Sequence, residues 1–129
     1  MKTIAFLLLS LVLAASASFL SQAQQNNPHN GMWLAKFKGP TGTPVEARVV
    51  VKDSEGTWTG NTSSPFNPCF GLEWPFAVTR AAADNLEISV NMEKALSGCG
   101  TFDLKLKRTD DKTLEGEFSD GRKVILSRQ

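Results

Sequence analysis

From Gly31 onward, apolar and polar residues alternate with a period of two. "MWLAKFK" sets Trp33, Ala35 and Phe37 on one face and Lys36 and Lys38 on the other. "VEARVVVK" does the same with Val45, Ala47, Val49 and Val51, and "TWTGN" carries Trp58 inward. The pattern resumes in "LEWPFAVT" (Leu72, Trp74, Phe76, Val78), "LEISVNM" (Leu86, Ile88, Val90, Met92) and "TFDLKLKR" (Phe102, Leu104, Leu106). It ends with "TLEGEFS" and "RKVILSR", where Val124 and Leu126 point in. Such alternation over short runs predicts half-buried β-strands. "GPTGTP", "DSEG", "RAAADN" and "TDDK" read as turns or loops, and Asp120-Gly121 is a tight-hairpin signal. "EKALSG" predicts one helical turn closed by Gly98.

The expected fold class is therefore all-β: an antiparallel up-and-down meander of about eight strands over residues 31–129. Closing such a sheet on itself covers its apolar face and removes its edges, so a closed or nearly closed barrel is expected. A two-sheet sandwich is the competing arrangement. In the last three strands Lys105 and Lys107, Glu115 and Glu117, and Lys123 alternate in sign across the outer face. Opposite charges on neighbouring strands support that order of pairing.

The segment before the first strand changes the picture of where the chain works. Lys2, the apolar run Ile4 to Leu13 and small residues at Ala15-Ser16-Ala17 or Ser21-Gln22-Ala23 form the three parts of a secretory signal peptide. The run is short for a membrane span, so no membrane anchor is expected. With residues 1–23 as the leader, export to the periplasm or medium follows; cleavage after Ala17 is the alternative. Residues 24–30, amide-rich and containing Pro28 and His29, read as a flexible N-terminal arm.

Export also decides how the two cysteines are read. Removing 23 residues leaves 106, enough for one domain with a modest core. Cys69 and Cys99 form an even pair in an oxidising compartment, which reads as a disulfide. Its loop length corresponds to about 3–4 kcal/mol of stabilisation by loss of chain entropy in the unfolded state. A zinc site needs further ligands, and a thiol nucleophile needs a base; the single histidine, His29, lies in the arm. No metal and no cofactor are expected.

The chain carries 14 basic and 13 acidic residues, and loss of Lys2 with the leader balances them. A balanced surface argues against nucleic acid as a partner. The aspartates at positions 53, 84, 110, 111 and 120 all fall in predicted turns, where they stabilise backbone locally. No nucleophile–base pair, metal spacing or phosphate-cradling glycine loop is evident, so no catalytic residue is assigned and the chain is expected not to be an enzyme. A low-efficiency hydrolase using surface carboxylates is the weakest of the alternatives.

Gly31-Met32-Trp33 opens the first strand and Arg128 closes the last. This resembles the structural signature of the calycin barrels, among them lipocalins, avidins and small bacterial metalloprotease inhibitors. The resemblance implies that Arg128 covers the face of Trp33 where first and last strands meet, with Gly31 beside them. The inhibitors are also exported and carry one disulfide, but their cysteines lie earlier in the chain.

The functional expectation is binding. "SSPFNPCFGLEW" is the one extended irregular segment, with Phe66, Phe70 and Trp74 around Cys69 and prolines at 65 and 68. Rigid aromatic loops suit protein recognition because ordered anchors lose little entropy on binding. Together with Pro28 and His29 of the arm, they are the expected contacts of a monomeric protein that recognises or inhibits a protein partner. A carrier of a small apolar ligand in the barrel mouth is the alternative.

Overall fold

The computed structural model describes residues 26–129; the expected leader over residues 1–23, and Gln24 and Gln25 of the expected arm, lie outside the described residues. Eight strands follow one another: β1 (Gly31–Lys38), β2 (Pro44–Lys52), β3 (Glu55–Gly60), β4 (Glu73–Ala82), β5 (Asn85–Asn91), β6 (Thr101–Asp110), β7 (Thr113–Glu117) and β8 (Lys123–Arg128). Each pairs antiparallel with its successor, and β8 returns to β1 through Trp33↔Arg128, Ala35↔Leu126 and Phe37↔Val124. The meander closes into a barrel, and the sandwich is excluded.

Period two is what makes closure favourable, because one face of every strand is apolar. Trp33, Val49, Trp58, Phe76, Ile88, Leu104, Leu114 and Leu126 are all buried, each from a different strand. Inward rings and branched chains fill the interior, as expected of eight strands, whose barrel is just wide enough for side chains to occupy. Burying one such side chain stabilises by about 1.5–3 kcal/mol.

Two strands run further than the pattern predicts. Glu55, read as part of a turn, already pairs with Lys52 and Ala77. The "RAAADN" loop is also mostly strand: Arg80 pairs with Glu87 and Ala82 with Asn85, leaving only Ala83 and Asp84 to turn. Alanines carry weak strand preference of their own, and the adjacent β5 ladder overrides it. A register shift between Val78 and Arg80 accommodates the change. "EKALSG" forms a 3-10 turn at Met92–Lys94, one step earlier than predicted, with the Asn91 side chain accepting from the Lys94 amide.

The charge order on the outer face follows the expected register, with Lys105 opposite Glu117, Lys107 opposite Glu115 and Glu117 opposite Lys123. The close ion pairs of the described residues lie elsewhere: Lys36–Glu46 at 3.8 Å, Arg108–Asp111 and Arg122–Asp120.

All connections at one end of the barrel are two-residue turns: Asp53-Ser54, Ala83-Asp84 and Asp111-Lys112. This is also the end where the described chain begins and finishes, and it is called the sealed end. The other end, the mouth, carries the long connections, residues 61–72 and 92–100 above all.

Residues 26–30 are not the flexible arm the composition suggests. Asn27 and His29 are buried, and the segment straps across the sealed end. The Asn27 amide donates to Asp53 O at 2.9 Å, and Asn30 exchanges two hydrogen bonds with Asp53 at 2.7 and 2.8 Å. His29 Nε2 lies 2.6 Å from Ala82 O and 2.9 Å from Asn85 O. Both are acceptors, so Nε2 carries the hydrogen. Polar residues settle here because turn carbonyls at a barrel end need donors, and amides and imidazole supply them.

Candidate functional site

The mouth is assembled from residues of five strands or their ends. Phe37 at the end of β1, Trp58 in β3, Trp74 at the start of β4, Phe102 at the start of β6 and Phe118 just beyond β7 converge there. Edge-to-face contacts join Phe37 to Phe118 (5.1 Å between centroids), Trp58 to Phe102 (5.7 Å), Phe102 to Phe118 (5.8 Å) and Trp74 to Phe102 (6.2 Å). Such pairs contribute about 0.5–1.5 kcal/mol each beyond their buried area. Phe37, Phe102 and Phe118 remain partly accessible, so the aromatic floor of the mouth reaches solvent.

Arg122 fastens one rim. Its Nη1 donates to Lys38 O at 2.6 Å, its guanidinium lies 5.0 Å from the Phe118 centroid, and its Nε pairs with Asp120. Asp120 accepts from the Arg122 backbone N–H and then from its guanidinium, and both hold the carboxyl below the usual range.

The opposite rim is residues 61–72. This loop contains no charged side chain. Its internal order comes from Asn67, whose side chain accepts from the Cys69 amide at 3.0 Å and whose carbonyl accepts from the Phe70 amide at 3.2 Å. Cys69 is bonded to Cys99 of the 92–100 connection, as the cysteine count predicts. Trp74 is 7 % exposed and donates its indole N–H to Cys69 O at 2.9 Å. Phe70, 44 % exposed, lies 6.5 Å from the Trp74 ring. Phe66 stands 94 % exposed.

The expected binding residues therefore separate. Phe66, Phe70 and Trp74 share the mouth, with Trp74 as floor rather than exposed contact. Pro28 and His29 lie at the sealed end, and His29 is only 2 % exposed. The joint surface of arm and aromatic loop is corrected: the two groups occupy opposite ends, and His29 is spent on turn carbonyls. Phe37, Phe102 and Phe118 belong to the mouth although they read as ordinary core positions, since alternation gives a residue's face but not its depth in a barrel. Leu96, exposed on the 92–100 connection, gave no signal at all.

At the sealed end, Gly31, Trp33 and Arg128 meet as the resemblance implies. Arg128 Cζ lies 4.3 Å from the Trp33 centroid, while Nη1 donates to Asn30 O at 2.7 Å and Nη2 to Pro28 O at 3.1 Å. The Trp33 indole N–H donates to His29 O at 2.9 Å. Gly31 has φ +130°, and a Cβ there would sit 3.1 Å from Arg128 Nη1, so a side chain would be strained and would crowd the guanidinium.

Among the described residues no three His, Cys, Asp or Glu side chains gather in a metal-binding arrangement. No protein-family model matches the chain, and no curated protein matches it. A solved structure described as a redesigned beta barrel is similar at 17% identity, covering 79% of this chain and 92% of its own, with a TM-score of 0.48.

Proposed function

We propose that this is an exported, monomeric, calycin-like barrel that works by binding rather than catalysis, recognising or inhibiting a protein partner in the cell envelope or medium through the 61–72 loop. The observation that carries this reading is Phe66, an almost fully exposed aromatic ring on an uncharged loop held by a disulfide. A large apolar side chain presented on ordered backbone is costly to leave in water, and its desolvation against a partner is the gain available to such a loop. The calycin assignment is supported by Arg128 over Trp33 beside Gly31.

The test is a photo-crosslinking side chain at position 66 in the exporting host, with the same group at the outward Lys105 as control. One defined adduct from position 66 and none from position 105 is expected. Equal or absent labelling at both contradicts the reading.

A second reading, a carrier for a small apolar ligand, is favoured by the partly accessible rings of Phe37, Phe102 and Phe118. Native mass spectrometry of the purified protein tests it: a copurifying apolar molecule supports it, and a clean apo mass opposes it.

A further inference from the structure

We propose that the Cys69–Cys99 bond is a redox latch: its reduction by a dithiol frees the aromatic loop and uncovers the floor of the mouth while the barrel stays folded. This goes beyond the proposed function and stands even if Phe66 contacts no protein.

The two cysteines lie on connections that the barrel does not need for its own closure. All eight strands are joined in a complete ring of hydrogen-bonded ladders, and neither cysteine is in a strand. The bond links the β3–β4 connection to the β5–β6 connection. Among the described residues no hydrogen bond joins these two connections to each other.

Each is ordered internally instead. In 92–100 the Glu93 amide donates to Gly100 O at 3.1 Å, and the Glu93 carboxylate accepts from the Gly98 amide at 3.1 Å. In 61–72 the bonds run among Ser64, Phe66, Asn67, Cys69 and Phe70, and the loop's first residue, Asn61, donates its amide to Glu46 O of β2 at 2.9 Å. Across to the barrel, the rim between Cys69 and Phe70 has one side-chain hydrogen bond, from the Trp74 indole to Cys69 O. With the disulfide open, the loop stays anchored at its two ends, by the Asn61 amide on Glu46 O and by Leu72 against the core, while its Cys69–Phe70 rim keeps the indole hydrogen bond and the Phe70–Trp74 contact.

Access and hinging are both present. Cys69 and Cys99 are partly exposed, so an attacking thiolate can reach sulfur. Gly98 (φ +92°) and Gly100 (φ +79°) flank Cys99 with open space where a Cβ would be, which lets the released thiol swing without collision. The chemistry balances. A dithiol's thiolate attacks one sulfur to give a mixed disulfide and expels the other cysteine as thiolate; the second thiol of the reductant then displaces the mixed disulfide. The reductant leaves as its own disulfide, having given two electrons and two protons to Cys69 and Cys99.

The experiment compares the oxidised protein with protein reduced by dithiothreitol and alkylated. Two readouts are taken: fluorescence of anilinonaphthalene sulfonate, an apolar dye, and amide exchange of the ladder core in β1, β2 and β8. The expected result is a several-fold rise in dye fluorescence with core amides still protected, and dithiothreitol-independent dye binding by the double variant Cys69→Ser/Cys99→Ser. Unchanged dye fluorescence overturns the latch. Loss of core protection on reduction, or failure of the double variant to fold, also overturns it, because the bond is then a staple for the whole fold.

Discussion

At the sealed end, Trp33 has its ring covered by Arg128 and its indole bonded to His29 O, beneath a strap whose polar side chains are tied to turn carbonyls. At the mouth, Trp74 also donates its indole to a backbone carbonyl, but that carbonyl belongs to Cys69, in a loop tied on by one disulfide. Both ends bury a tryptophan under chain that is not strand. One cover is woven from many charge-assisted and neutral hydrogen bonds between sequence-distant segments; the other is a tethered flap bearing exposed rings. A small barrel has only so much non-strand chain, and here it makes strap hydrogen bonds at one end and presents exposed rings at the other.

The comparison breaks most readily at Trp33. Trp33→Ala should destabilise by about 3–5 kcal/mol, because it empties a core site and strips Arg128 of its ring; denaturant titration of the purified variant checks this. Arg128→Ala should cost about 2–3 kcal/mol, as two carbonyls lose a charged donor. Arg128→Lys should recover little of that, since an ammonium cannot span both carbonyls while stacking flat. His29→Ala should cost about 1–3 kcal/mol by leaving Ala82 O and Asn85 O without their donor. A neutral His29→Ala would restore the flexible arm.

Phe66→Ala sharpens the other side. Its stability change should lie within about 0.5 kcal/mol, because the ring makes almost no buried contact, while affinity for a protein captured through the position-66 crosslinker is lost. The smallest effect is on acid stability. Asp110 is held below the ordinary carboxylate range, first by the Lys112 backbone N–H and then by the Thr113 side chain, and Asp120 similarly by Arg122. A lowered folded-state value means stability present above the unfolded value of about 3.9 and lost as pH falls through the folded one. Asp110→Asn/Asp120→Asn should therefore show a shallower stability loss below about pH 4 than the parent, measured by thermal melts across that range.

The strands were legible because period two is a local signal, and the meeting of Gly31, Trp33 and Arg128 was legible only through the resemblance to the calycin barrels. The strap was not. Asn27, His29 and Asn30 read as a solvated tail, since nothing local distinguishes an amide that faces water from one that faces a turn carbonyl far along the chain. The mouth was half legible: the irregular loop and its cysteine stood out, while Phe37, Phe102 and Phe118 were indistinguishable from core.

The two indole N–H groups allow the ends to be weighed in one experiment. Their solvent exchange, followed by NMR in the oxidised protein, reports the opening of each cover separately. The expected result is that the Trp33 indole exchanges only at the rate of global unfolding, and the Trp74 indole exchanges much faster through opening of the rim. Equal rates, or a faster Trp33, would contradict the division of the barrel into a sealed end that holds the fold and a mouth free to bind.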